Sequence, residues 1–411
     1  MYLFSTQYWG FLLAIFLFIP NVKARDPLIL LGVDGFRYDY LTMADTPHMD
    51  AMIQRGFQAR RMLPSYPSFT FPNMYTLVTG NHPSTHGVTG SKTYDEKTGE
   101  YFDRKNDLDN LSATWFQSMP IWEAAERQGV KTAVYNWVGS LVTDRKPQLL
   151  IPFELEDLST YYDVRLEKFR EWFSMERPPE LVCSYLFPLD KAGHDHGPGS
   201  PELVAGLKEL DKFMGDLLQL LDELKVNANI LVVSDHGMLP LKQGGTLLAD
   251  VHKALEGEDP VKVINQYTRL QIFLKDPSQE HVRAVINKLP KFSHLRWYTR
   301  RENPYPVHPT RDGHIIGEMD PPYEFMKNRD PKMGGYTGVH GYGPHVPEMA
   351  AICFGTGPGF VSGSKLEQVQ AVDVFPLMLR LLDLPQRTVD GSLGVWNGVI
   401  HGVLAGGGHS D

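Results

Sequence analysis

Residues Leu28 to Gly35 read Leu-Ile-Leu-Leu-Gly-Val-Asp-Gly, an unbroken apolar run that ends in an aspartate and a glycine. A run this short, with no polar alternation, suits a strand covered on both faces, the usual condition of a parallel sheet. The same pattern recurs in Leu181-Val-Cys-Ser-Tyr-Leu-Phe-Pro-Leu-Asp190 and in Ile230-Leu-Val-Val-Ser-Asp235-His236-Gly237. Lys131 to Trp137 and Met349 to Phe354 are further runs of the same kind. Helix-like stretches lie between them. The clearest is Pro201 to Leu224, where Leu203, Leu207, Leu210, Phe213, Leu217, Leu220 and Leu224 recur at helical spacing behind Ser200, a natural N-cap. Strands alternating with helices predict an α/β fold with a mostly parallel central sheet and helices on both faces.

Outside these runs the chain is less regular. From about Lys242 to Gly334 it turns proline-rich and charged, which predicts an insertion or lid over one end of the sheet, inside a single domain covering residues 25–411. Residues 1–24 carry an apolar run from Trp9 to Ile19, then Val22-Lys23-Ala24. That suits an export signal cleaved before Arg25, and the run is too short for a good membrane span. The expectation is a secreted or periplasmic protein with no stable span after cleavage. An uncleaved N-terminal anchor is the alternative, because no Lys or Arg precedes the apolar run.

With 42 % hydrophobic residues over 411, the chain can bury a large core. Its net charge of −9 is spread without blocks, which excludes a basic nucleic-acid-binding face. Cys183 and Cys353 sit in strand-like runs and read as buried thiols. The lone sequon Asn110-Leu-Ser112 carries little weight.

The carboxyl ends of parallel strands share one sheet edge, where α/β proteins hold their ligands. Asp34, Asp190 and Asp235 would crowd there, and their repulsion is relieved if cations lie between them. His194 follows Asp190 by four residues, His236 follows Asp235 directly, and His340 lies in Gly338-Val-His-Gly-Tyr. Carboxylates mixed with imidazoles suit zinc, with other divalent ions as alternatives. Thr70, in Pro67-Ser-Phe-Thr-Phe-Pro-Asn73, reads as a helix N-cap. A helix N-terminus also favours an alkoxide and the phosphate that it attacks.

Taken in order, these segments resemble the nucleotide pyrophosphatase/phosphodiesterases of the alkaline phosphatase superfamily. The resemblance runs through Val33-Asp-Gly-Phe-Arg37, Thr70-Phe-Pro-Asn73, Leu77-Val-Thr-Gly80, His82-Pro-Ser-Thr-His-Gly87 and Pro120-Ile-Trp122. It continues through Asp190 with Gly193-His194, Ser234-Asp-His-Gly-Met238 and His340-Gly341. It implies a site for two divalent metal ions, most simply zinc. Asp34, Thr70, Asp235 and His236 would hold one ion, and Asp190, His194 and His340 the other. Thr70 would be the nucleophile of a covalent phospho-threonine intermediate. The substrate implied is a small nucleotide diester or pyrophosphate, cleaved to a nucleoside 5′-monophosphate.

One position departs from the family pattern. Where the family usually carries an asparagine that donates to a non-bridging phosphate oxygen, this chain has Ser91, followed by Lys92 as a possible cation. Phe71, Trp137, Tyr161 and Tyr162 are the aromatic candidates for gripping the rest of the substrate. The rival readings are a lysophospholipid phosphodiesterase acting on choline headgroups and an exported binding protein without turnover.

Overall fold

The computed structural model describes residues 25–106, 112–152, 158–242, 245–326 and 337–402. The proposed export signal and Asn110 of the sequon lie outside the described residues. Eight strands form the central sheet, in the order Ser364–Gln370, Phe57–Leu63, Ala351–Thr356, Asn229–Val233, Leu28–Val33, Leu181–Leu186, Thr132–Tyr135, Leu149–Ile151. Leu28–Val33 lies at its centre, parallel to Leu181–Leu186 on one side and to Asn229–Val233 on the other. Ala351–Thr356 is antiparallel to both of its neighbours. The remaining pairs are parallel. The fold is therefore α/β with a mostly parallel central sheet.

Side chains alternate across the sheet. Leu28 and Leu30 join one hydrophobic core, while Ile29, Leu31 and Val33 join the other. That two-faced burial is what the continuous apolar run requires. The helix Pro201–Glu223 seals the second face, with Leu203, Leu207, Leu210, Phe213 and Leu217 buried. Its N-terminus is capped by Ser200 Oγ, which accepts the Leu203 N–H at 3.1 Å. Cys183 and Cys353 are free, buried thiols.

Three strands of the sheet are not expected from the sequence. Phe57–Leu63 fully buries only Phe57, Ala59 and Met62 and leaves Arg60 exposed. Leu149–Ile151 and Ser364–Gln370 are the two edges: the first is apolar but only three residues long, and the second is half-solvated and carries no unbroken apolar run. Within the stretch from Lys242 to Gly334, four antiparallel strands form a second sheet, in the order Lys262–Gln266, Arg269–Phe273, Ile315–Met319, Leu295–Thr299. This sheet contributes Leu270, Ile272, Leu295 and Ile315 to a third core, which extends from Leu239 to Met349. After it the chain returns to the main sheet through Gly338–Val339, paired antiparallel with Leu239–Pro240.

Candidate active site

That last pairing sets His340 beside Asp235 and His236, although about a hundred residues of chain separate them in sequence. Asp34 directly follows the central strand, and Asp235 follows the adjacent one after Ser234. The third aspartate is placed differently from the sequence expectation. Strand Leu181–Leu186 ends before Phe187, and Asp190 lies in the first turn of the helix Pro188–His196. The helix brings His194 onto the face of Asp190, one turn later, with Nε2 3.5 Å from Oδ2. Gly35 lets Asp190 approach. At φ +67° it takes a left-handed conformation, and a Cβ there would lie 2.9 Å from the Asp190 backbone.

Thr70 is the first residue of the helix Thr70–Thr79, and Phe69 rather than Thr70 is its N-cap. Its hydroxyl is thus not spent on capping. Oγ1 lies 3.3 Å from His236 Nε2. The loop before it is held by Asn73, which is wholly buried. Asn73 Oδ1 accepts the Ser65 N–H at 2.6 Å, and Nδ2 lies 2.9 to 3.1 Å from the carbonyls of Ser65, Pro67 and Phe69.

All three histidines turn Nδ1 toward a backbone carbonyl: His194 to Gly338 at 2.9 Å, His236 to Gly237 at 2.9 Å, and His340 to Ser68 at 3.0 Å. In the neutral imidazole the Nδ1–H donates there and leaves Nε2 with a lone pair, the tautomer that metal-binding histidines use. These Nε2 atoms converge: His340 and His194 lie 3.2 Å apart, and His236 Nε2 is 3.4 Å from Asp34 Oδ1 and 3.1 Å from Asp235 Oδ2. Two lone pairs facing each other at such a distance repel unless a cation sits beside them.

The aspartates make the same demand. Asp34 Oδ1, Asp190 Oδ1 and Asp235 Oδ2 are buried acceptors with no hydrogen-bond donor. Burial, and then the charges of Asp190 and Asp235, hold the Asp34 carboxyl well above the usual carboxylate range. Burial also raises Asp190. Asp235 goes the other way, because His236, together with the bonds to Asp34 and the Gly35 N–H, outweighs the cost of its burial. Burial, reinforced by His236 and His194, pushes His340 well below the usual histidine value. The donor set fits divalent cations. Two groups of ligand atoms are close enough to share one: Asp190 with His194 and His340, and Asp34 with Asp190 and His236. Asp190 therefore reaches both groups.

The expected substrate-gripping residues fare differently. Trp137 is fully buried and lies across Gly32, where a Cβ would meet its ring at 2.5 Å. Its indole N–H donates to the Met74 carbonyl at 3.0 Å, so it braces the helix that carries Thr70 and offers no face to a ligand. Tyr161 is buried in the core under strand Leu181–Leu186, with its hydroxyl 3.2 Å from the Tyr185 carbonyl. Tyr162 packs on Phe213, with ring centroids 5.0 Å apart. None of the three is an open stacking surface, because each closes the core of a two-faced sheet. Lys92 is not a spare cation either: its ammonium is 3.5 Å from Asp103. Ser91 is half-exposed and precedes the hairpin strand Lys92–Asp95, and Phe71 is buried beside Thr70. The sequence reading missed Arg104, whose guanidinium lies over the Phe71 ring with 5.7 Å to the centroid. No local pattern marks it, since its position follows from the hairpin.

The pattern described as type I phosphodiesterase / nucleotide pyrophosphatase matches residues 28–343. The chain belongs to this family. It thereby joins a group of metallo-hydrolases that act on phosphodiester and pyrophosphate bonds. It is similar to an uncharacterized pyrophosphatase/phosphodiesterase of Schizosaccharomyces pombe, 30 % identical over 90 % of this chain and 79 % of the relative. Ectonucleotide pyrophosphatase/phosphodiesterase family member 1 of Mus musculus is 28 % identical over 92 % of this chain, which spans only 43 % of that longer relative. Among solved structures, murine ectonucleotide pyrophosphatase/phosphodiesterase 5 matches with TM-score 0.80 and 27 % identity, over 90 % of this chain and 98 % of its own. An inactive variant of that murine protein, in complex with AMP, matches with TM-score 0.80 and 26 % identity, over 91 % of this chain and 98 % of its own.

Proposed function

We propose that this family member hydrolyses nucleotide phosphodiester or pyrophosphate bonds to nucleoside 5′-monophosphates, with Thr70 as nucleophile and zinc as the resident metal. The observation that carries the reading is the Thr70 hydroxyl at a helix N-terminus, 3.3 Å from His236 Nε2, among carboxylate oxygens that lack donors. Thr70 Oγ attacks phosphorus, its proton passes to water, and the alcohol or phosphate on the far side leaves with the electrons of the broken P–O bond. The product is a threonyl ester of the nucleoside monophosphate, which water then cleaves to restore the hydroxyl. Asp34, Asp190, Asp235 and the three histidines would hold two divalent cations, which would lower the pKa of that hydroxyl and neutralise charge on the transferred group.

The chain's own residues supply the positioning. Asn73 fixes the loop that aims Thr70, the helix N-terminus favours the negative phosphate, and Ser91 donates to a non-bridging oxygen. AMP bound to the murine relative supports a nucleotide. Arg104 beside Phe71 speaks against a cationic choline headgroup in the same space. The apolar run Trp9 to Ile19 supports export. Among the described residues no helix is long and apolar enough to cross a membrane.

A substrate panel tests the assignment: nitrophenyl thymidine monophosphate, nitrophenyl phosphate and nitrophenyl phosphocholine, each with and without chelator. The expected result is chelator-sensitive turnover with the nucleotide diester preferred. A kcat/KM on the monoester or on the choline ester equal to that on the diester rejects it.

A further inference from the structure

Arg104 is the first residue beyond the hairpin strand Glu100–Asp103. Its backbone N–H donates to the Ser91 carbonyl at 3.0 Å, one step past the Lys92–Asp103 pair, so the hairpin register sets Arg104 directly beside Ser91. Phe102 lies two residues earlier on the same face and is buried in the first core, which turns that face of the hairpin toward the nucleophile helix. The guanidinium therefore lies over Phe71, the residue next to Thr70. It is also near enough to Asp190 for its charge to act on that carboxyl.

Several other cations are already paired. Lys92 faces Asp103, Arg311 is bound to Asp95, Arg269 to Asp312 and Arg37 to Asp39. Among the described residues, no carboxylate is in ion-pair distance of Arg104. A guanidinium held against an aromatic face is oriented at little entropic cost, and its planar fork of donors matches phosphate oxygens. Here the fork stays open to solvent at the margin of a site built for phosphate.

We propose that Arg104 is a specificity-determining residue whose guanidinium receives a negatively charged group of the substrate beyond the reacting phosphate. The site then favours nucleotides that carry a further phosphate over diesters whose second substituent is neutral. A charge-assisted hydrogen bond to phosphate from a guanidinium oriented on an aromatic face is worth about tenfold to a hundredfold in affinity or kcat/KM. Being exposed, it weakens as salt rises.

The turnover arm of the test rests on the diesterase reading; the binding arm does not. In the first arm, kcat/KM for ATP is divided by that for nitrophenyl thymidine monophosphate in the wild type, Arg104→Ala and Arg104→Lys. The ratio should fall about tenfold or more in the alanine variant and be partly kept by lysine. In the second arm, ADP and AMP are titrated calorimetrically into zinc-loaded Thr70→Ala protein, with and without Arg104→Ala. The preference for ADP should shrink by a similar factor. A ratio unchanged within twofold in either arm overturns the proposal, as does an equal preference for ADP and AMP when Arg104 is present. If the wild type cleaves neither substrate, the diesterase reading fails and the titration alone decides the role of Arg104.

Discussion

A threonine hydroxyl is a weak nucleophile in neutral water, so Thr70 depends on what surrounds it. It has a helix N-terminus behind it, His236 Nε2 at 3.3 Å and unpartnered carboxylate oxygens beyond. Thr70→Ala should therefore lose nearly all turnover while keeping its fold and its metal, since the Asp and His ligands remain. Thr70→Ser should keep part of the activity through its primary hydroxyl. Wild-type rates from the alanine variant, measured with full metal content, would reduce Thr70 to a helix-start residue. Ser91→Ala should cost about threefold to tenfold in kcat, the worth of one neutral hydrogen bond, and Ser91→Asn should preserve or raise it. At this scale the sequence was legible where a residue's chemistry is rare, as with an aspartate ending an apolar strand. It was misleading where the residue type is common. Trp137 and Tyr161 sit in strand-like or helix-like runs, and only tertiary packing shows that each is a strut of the core. Arg104 could not be singled out, because its neighbours over space are set by the register of a hairpin.

Elements are where the sequence was read best and where its silence has a physical cause. The central strands were legible because burial on both faces writes a continuous apolar run. Phe57–Leu63 and Ser364–Gln370 were not, since one solvated face erases it, and Leu149–Ile151 is apolar but only three residues long. The second sheet lies in a stretch read only as irregular, because short antiparallel strands with polar outer faces look like loops. Two contacts between elements give measurable consequences. Asn73 ties the loop Ser65–Phe69 to the helix Thr70–Thr79 through four buried hydrogen bonds. Asn73→Ala leaves several backbone groups unsatisfied, at about 1 to 3 kcal/mol each. A drop in melting temperature together with a lower kcat is expected; a variant with unchanged stability and rate would show that the loop holds itself. Arg311 is buried and donates to Asp95 at 2.9 Å and to the carbonyls of Gly87 and Trp115, joining the hairpin and the second sheet's own segment to the main body. Burial raises Asp95, but the bond from Arg311, together with those from the Lys97 N–H and Thr310, outweighs it and holds the carboxyl below the usual value. A carboxyl with a depressed folded pKa stabilises above its unfolded value of about 4, and that contribution is lost as pH falls through the folded value. Arg311→Met should therefore lower the melting temperature near pH 7 and flatten its fall below about pH 4. Calorimetry across pH that shows parallel curves for the two proteins would contradict this.

Across the whole molecule, the site draws on segments scattered from Asp34 to His340, and no one of them binds a cation by itself. The central strand supplies Asp34, its two neighbours lead to Asp190 and Asp235, and the return from the second sheet supplies His340. Three buried carboxylates close together oppose folding when no cation is present, and burial with mutual repulsion is what raises Asp34. Metal binding and global stability are thus linked. Zinc at a thousandfold excess over its dissociation constant stabilises by about 4 kcal/mol per site, so chelation should lower the melting temperature by several degrees and zinc should restore it. The sign for a ligand variant follows from the same electrostatics. Asp190→Asn removes a negative charge that now raises Asp34, so without metal the variant should melt no lower than the wild type. With zinc the order should reverse, because Asp190 reaches both ligand groups and its loss weakens each. Differential scanning calorimetry of both proteins, with chelator and with zinc, gives the four melting temperatures. A wild type that melts identically in chelator and in zinc, with no metal bound on analysis, would remove the basis for the two-cation site.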